Sequence, residues 1–311
     1  MPFSPEKLPD DPQELEQWIR EQESSEREPS IRDQARAKIL WADPTQKSKT
    51  AYAIVYLHGF KASHGEGKPV HRQVAESLGL NLYLCRLKGH GLNVSEPLKD
   101  LSADDLRESA LKALAIGRKI GEKIIIMGTS TGASLGLYLA SKAEFKDVIS
   151  GLVLYSPLVE FYGSSQWFLG HSIPRALMKI IPGRNYPIKA EPASSPEENK
   201  IWYPSYALQG ALALGEFIQN AMTEETFSRV ECPTFTGYYY KSEKRQDKVV
   251  SVEAIKRMHR SLGVHNSFKI LKNYPDSGTH VICSGLVSGS INRLKKDTCR
   301  FIKDKIISDS H

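Results

Sequence analysis

The sequence predicts an α/β fold: a mainly parallel sheet with helices on both faces, interrupted once by an insertion. Three observations carry this. Apolar runs that suit strands covered on both sides, above all AYAIVYLHGF (residues 51–60) and KIIIMG (123–128), alternate with stretches of helical periodicity. The spacing between successive runs leaves room for a crossover helix, which parallel neighbours require. That rhythm stops at Ser156-Pro157 and resumes at PTFTGYYYK (233–241), so one sheet domain is split by the segment between them. The length agrees, since 311 residues exceed the usual single domain yet fit one α/β domain with an insertion.

In chain order, residues 1–33 are polar and charged, with one helix predicted around Pro12 to Glu23 whose Leu15, Trp18 and Ile19 share a face. This extension is expected to pack on the outside of the domain. ARAKILWAD (35–43) reads as an alternating strand, HRQVAESLGL (71–80) as a helix and NLYLCRL (81–87) as the next strand. Ser102-Ala103-Asp104-Asp105 has the pattern of a capping box, in which two side chains satisfy each other's backbone N–H groups. It opens a helix with Leu106, Ala110, Ala113 and Leu114 in one stripe. VISGLVLYSP (148–157) is a further strand. Residues 158–228 hold much of the aromatic content (Phe161, Tyr162, Trp167, Phe168, Tyr186, Trp202, Tyr203, Tyr206), several prolines and a helical piece, SYALQGALALGEFIQNAM. After the strand at 233–241 come a helix in SVEAIKRMHRSL, a strand in NSFKILKN and a last helix in INRLKKDTCRFIKDKI. The expected organisation is an extension (1–33), a core (34–157 and 229–311) and an insertion (158–228).

Bulk properties exclude several function classes. The net charge of +6 arises from 42 basic and 36 acidic residues spread along the chain, without a basic block, so a nucleic-acid partner is not expected. The N-terminus lacks the apolar core of a signal peptide and no apolar run approaches membrane-spanning length. A soluble, cytoplasmic chain without stable membrane insertion is the expectation. Cys85, Cys232, Cys283 and Cys299 lack metal-ligand spacing and read as free thiols. No G-x-G-x-x-G after a strand, phosphate loop or H-E-x-x-H is present, so neither cofactor nor metal is expected.

The chemistry-bearing stretch is Gly128-Thr129-Ser130-Thr131-Gly132, between a buried strand and a helix. This fits a G-x-S-x-G nucleophile elbow, whose turn brings strand and helix so close that side chains at Gly128 and Gly132 would clash. Ser130 is expected on strained backbone with Oγ pointing outward. A serine hydroxyl needs a base, and the base an orienting carboxylate, in the chain order nucleophile, acid, base. His280, in a Gly-containing loop after the last strand, is the candidate base; His259 and His265 read as structural or surface residues. The acid should follow the preceding strand, and Asp247 in KSEKRQDKVV does, with Glu243 in the same loop as the alternative. Asp276 stands too close to His280 to come from that strand end. An oxyanion needs two fixed donors: the Thr131 N–H at the helix start, and the Phe60 N–H in His58-Gly59-Phe60. The His58 imidazole itself reads as a turn-stabilising group.

Taken together, GTSTG, the HGF after a buried strand, KGHG (88–91), the DKVV acid loop and the late GTHVI resemble the α/β-hydrolases, specifically the monoacylglycerol lipase, carboxylesterase and serine-aminopeptidase-like branch. The resemblance spans roughly residues 35 to 305 in element order. It implies an α/β-hydrolase sheet with a helical cap over the site from residues 158–228, a triad of Ser130, Asp247 and His280, and an oxyanion hole from Phe60 and Thr131. The acid loop is longer and more charged than the family's usual turn, and residues 1–33 fall outside the resemblance. Hydrolysis of a small-molecule ester of short or medium acyl length, or a monoacylglycerol, is the expected activity. Two alternatives remain. An aminopeptidase or amidase would want a carboxylate such as Glu160, Glu191 or Glu216 to bind an amine; a non-catalytic binding protein would use the scaffold without the chemistry. The sequence leaves oligomeric state open.

Overall fold

The computed structural model describes residues 8–24, 29–163, 187–190 and 194–308. Helix α1 (Pro12–Gln22) precedes β1 (Lys38–Leu40), β2 (Thr50–Leu57), α2 (Val70–Leu78), β3 (Asn81–Leu84), α3 (Ala103–Ile120), β4 (Gly121–Thr129), α4 (Thr131–Ala140) and β5 (Ile149–Tyr155). Short elements follow: β6 (Pro187–Lys189), α5 (Pro196–Ile201), β7 (Ser205–Ala207), α6 (Leu208–Ala221) and α7 (Glu224–Ser228). The chain then returns through β8 (Thr234–Tyr238), β9 (Tyr240–Ser242), β10 (Arg245–Gln246), α8 (Val252–Ser261), β11 (Lys269–Asn273) and α9 (Ile291–Ile302).

Seven strands form one sheet in the order β1-β3-β2-β4-β5-β8-β11. All neighbours run parallel except β1, which pairs antiparallel with β3. Alternation along the two central strands divides the core. Val55, Leu57, Ile124 and Ile126 face α3 and α4, whereas Ile54, Tyr56, Ile125 and Met127 face α2 and α9. Both faces are therefore covered, which is why these strands read as unbroken apolar runs. Helix α3 opens on the expected capping box, with the Ser102 and Asp105 side chains each accepting from the other's backbone N–H. Ala213, Leu214 and Phe217 of α6 are buried in the same cluster as α3 and α4.

Several boundaries differ from the sequence reading. Strand β1 is only three residues long, because the chain leaves the ladder where Ala42 N–H donates to the Asn81 side chain at 2.8 Å. Strand β3 stops at Leu84, and Leu87 N–H donates to His58 Nε2 at 3.1 Å instead of to a strand. Residues 205–207, expected as helix, pair antiparallel with β6 before α6 begins. The strand expected over 233–241 ends at Tyr238, and the charged segment after it folds back as the β9–β10 pair. The last helix widens into a π-helical turn over Lys303–Ile307.

The N-terminal extension is more than a surface cover. Leu15 and Ile19 of α1 are fully buried in the core. Behind them Glu23, only 6% exposed, accepts from Arg86 Nε at 2.6 Å and from Nη2 at 2.9 Å. Of the insertion expected over 158–228, residues 164–186 and 191–193, with Trp167, Phe168, Tyr186 and Glu191, lie outside the described residues. No described helix is long and apolar enough to cross a membrane.

Candidate active site

Ser130 occupies the corner between β4 and α4 with φ 53° and ψ −118°, a conformation that costs an L-residue on the order of 1–3 kcal/mol. Its neighbours hold it there: Ser130 N–H donates to Tyr155 O at 2.9 Å, while its carbonyl accepts from Ser134 N–H at 3.1 Å and from Leu158 N–H at 3.3 Å. The flanking glycines are dictated by contact. A Cβ on Gly132 would stand 1.9 Å from Leu57 O, and one on Gly128 would stand 2.5 Å from the Gly132 carbonyl carbon.

His280 lies in the loop after β11, and its Nδ1 is 2.7 Å from Asp247 Oδ2. Because the carboxylate can only accept, Nδ1 carries the proton and Nε2 is left as the basic nitrogen. Asp247 itself is 1% exposed, and its Oδ1 accepts from the N–H groups of Val249 (2.8 Å) and Val250 (3.1 Å). Burial pushes the His280 pKa down, but the charge and hydrogen bond of Asp247, with a further pull from Glu66, outweigh it and leave the pKa above its ordinary value. The structure thus brings Asp247, not Glu243, to the imidazole. Glu243 is exposed in the β9–β10 turn, where Tyr240 OH donates to it at 2.7 Å. His259 packs against Thr236 Oγ1 at 3.2 Å, and burial lowers its pKa to about 4. His265 accepts from Ser267 N–H at 3.3 Å, and Asp276 is exposed.

Phe60 and Thr131, the expected oxyanion donors, line the same cavity as Ser130. Among the described residues neither the Phe60 N–H nor the Thr131 N–H has an acceptor. Gly59 O lies 2.9 Å from His58 Nδ1, so that nitrogen donates and Nε2 accepts from Leu87 N–H. Burial holds the His58 pKa well below its ordinary value, so the ring is neutral, as a turn-stabilising role requires. In a trans peptide, N–H and C=O point in opposite directions. Anchoring Gly59 O on His58 therefore points the Phe60 N–H away from that ring.

Ser130, Thr131, His280 and Phe60 line one cavity of about 640 Å³. Leu158, Phe161, Trp202, Tyr203, Tyr206 and Leu214 make much of the remaining wall apolar, while Lys61, Glu198 and Asn199 add polar and charged groups. Phe60 meets Tyr206 edge to face, with ring centroids 5.1 Å apart. Of the carboxylates considered for amine binding, Glu160 pairs instead with Arg257 at 2.8 Å, and neither it nor Glu216 lines the cavity. One cavity residue escapes sequence reasoning altogether. Glu66, 2% exposed, accepts from Gly59 N–H at 2.5 Å and from Trp202 Nε1 at 3.2 Å, and burial raises its pKa to about 7. Among the described residues no group of three or more His, Cys, Asp or Glu is arranged to hold a metal ion.

Comparison with known proteins adds a family. A family model described as the alpha/beta hydrolase family matches residues 54–282. Comparison with curated proteins finds no match. Among solved structures, a metagenome-derived lipolytic enzyme described with LipS and LipT superposes with a TM-score of 0.69 at 17% identity, covering 88% of this chain and 99% of that one. Est1E from Butyrivibrio proteoclasticus, with ferulic acid bound, gives 0.60 at 16% identity, covering 87% of this chain and 95% of that one. A soluble variant of monoglyceride lipase from Saccharomyces cerevisiae, in complex with a substrate analogue, gives 0.57 at 14% identity over 87% and 91%. At these identities the likeness is one of fold.

Proposed function

Because the chain belongs to the α/β-hydrolase family, we propose that it is a serine hydrolase cleaving carboxylic esters through an acyl-enzyme intermediate. The observation that carries this reading is the 2.7 Å contact of His280 Nδ1 with buried Asp247, in a loop that lines the same cavity as Ser130 on its strained corner. Ser130 Oγ attacks the ester carbonyl as His280 Nε2 takes its proton. The C=O π electrons move onto oxygen, facing the N–H groups of Phe60 and Thr131. Collapse of the tetrahedral intermediate expels the alcohol, which takes the proton back from Nε2. Water, deprotonated by the same nitrogen, then attacks the acyl carbon; as the acyl–Oγ bond breaks, Nε2 returns the proton to Ser130 Oγ and the acid is released. Asp247 fixes the imidazole tautomer and stabilises the imidazolium. Because much of the wall is apolar and aromatic, the favoured substrate is an uncharged ester of short or medium acyl length, including a monoacylglycerol. The structural relatives described as lipolytic or as monoglyceride lipase are compatible with that class.

A fluorophosphonate probe followed by intact-mass measurement tests the reading whatever ester the protein acts on, because the probe reports only an activated serine. One covalent adduct, absent from Ser130→Ala, is expected, and p-nitrophenyl butyrate should be hydrolysed only by the wild type. Full turnover by Ser130→Ala would remove the serine from the mechanism. Cleavage of aminoacyl anilides with no ester hydrolysis would replace the substrate class.

A further inference from the structure

We propose that Glu66 is a positioning residue for the oxyanion loop, holding Gly59 from below and tying that loop to Trp202 beyond the sheet domain; the inference rests on the acyl-enzyme reading above. The geometry is specific. Gly59 is gripped at both ends, its C=O by His58 Nδ1 at 2.9 Å and its N–H by Glu66 Oε1 at 2.5 Å. With both anchors set, the plane of the next peptide is fixed, and with it the direction of the Phe60 N–H. The other carboxylate oxygen of Glu66 accepts from Trp202 Nε1 at 3.2 Å, across 136 residues of chain. A Cβ placed on Gly59 would stand 3.2 Å from Glu66 Oε1 and 3.4 Å from Ser130 Cβ, so the carboxylate and the nucleophile border the same point.

A carboxyl group taken out of water is costly unless its oxygens are occupied, and a polar loop position does not require one. Here both oxygens are occupied by N–H donors, one on the oxyanion loop and one on an aromatic ring of the cavity wall. That pairing converts the burial of one side chain into alignment of a donor that acts only as negative charge develops. Loosening it should lower kcat more than it alters KM. The charged and titratable groups that face Glu66 are His280 from the loop after β11, Lys61 from its own loop, Tyr56 of β2, and Cys283. Of these, His280 couples to the reaction, because Glu66 in its ionised form, populated above its own pKa of about 7, raises the His280 pKa.

The test compares wild type, Glu66→Ala and the isosteric Glu66→Gln with p-nitrophenyl butyrate between pH 5 and 9, alongside fluorophosphonate labelling of Ser130. Glu66→Ala should lose about tenfold to a hundredfold in kcat with little change in KM, a smaller loss than removal of an oxyanion donor outright. Glu66→Gln, which keeps the volume and one acceptor, should recover part of that loss. The same variant should shift the acid limb of kcat/KM slightly to lower pH, because the fraction of Glu66 ionised around its own pKa of about 7 no longer helps to hold the proton on His280; a merely structural side chain would leave that limb in place. If Glu66→Ala does not fold, Glu66→Gln alone decides. Wild-type kcat and an unmoved limb in Glu66→Gln, with Ser130 labelled normally in the wild type, overturn the role of Glu66 and leave the hydrolase reading standing. A wild type whose Ser130 takes no label overturns both.

Discussion

Asp247 gives its two oxygens to different tasks, Oδ1 to the backbone of its own turn and Oδ2 to His280. Its orientation is therefore fixed before the imidazole arrives. Asp247→Asn should lower kcat by about 10⁴-fold, since the amide favours the wrong tautomer, whereas Glu243→Gln should leave ester hydrolysis unchanged. The pH profile has a definite sign. With the His280 pKa raised by Asp247, the protonated, non-basic form persists to higher pH, so activity is lost on acidification above the usual histidine range. In Asp247→Asn the acid limb of the residual rate should move to lower pH. A limb that stays in place would mean that another group sets it. At this scale Ser130 and His280 were legible, because a nucleophile flanked by glycines and a late loop histidine leave marks in sequence order. The choice between Asp247 and Glu243 was not, since both lie in one loop and only the fold shows that Glu243 turns outward to Tyr240. Glu66 left no mark at all; its burial depends on Trp202, far along the chain.

The strand-corner-helix element depends on backbones touching. Gly132→Ala would drive a methyl group into Leu57 O, and neither β2 nor α4 has room to yield, so a loss of about 3 kcal/mol or more is expected. Thermal melts of Gly132→Ala beside Ser130→Ala would check this. Ser130→Ala should melt close to the wild type, because alanine keeps the corner's backbone bonds. The capping box of α3 makes a milder case: Ser102→Ala should cost about 1 kcal/mol, read from urea unfolding. The central strands were legible because burial on both faces demands apolar residues throughout. The short ones were not. Where β1 and β3 end is decided by Asn81 and His58 capturing single backbone groups, interactions that leave no periodic trace.

At the scale of the whole molecule, the mainly parallel sheet was legible in the alternation of strands and helices along the chain, whereas the order of its seven strands, with β1 antiparallel at one edge, was not. The docking of residues 1–33 could not be read, because their partners belong to distant loops. Glu23 pairs with Arg86, Arg86 Nη1 donates to His90 O at 3.3 Å, and the His90 ring meets Phe60 with centroids 5.8 Å apart. Arg32 adds a second hold, its guanidinium 4.6 Å from the centre of the Tyr203 ring in the cavity wall. Glu23→Gln should destabilise the protein by about 3 kcal/mol, because it leaves Arg86 without its counter-charge in a half-buried place; chemical denaturation of the two proteins would measure it. The same ion pair bears on how the gene can be shortened. Trimming to the stretch that matches the family, which starts at Ile54, discards Glu23 and the edge strand β1 together. Such a fragment would emerge from the ribosome with a stranded guanidinium and a bare sheet margin, and inclusion bodies are its natural fate.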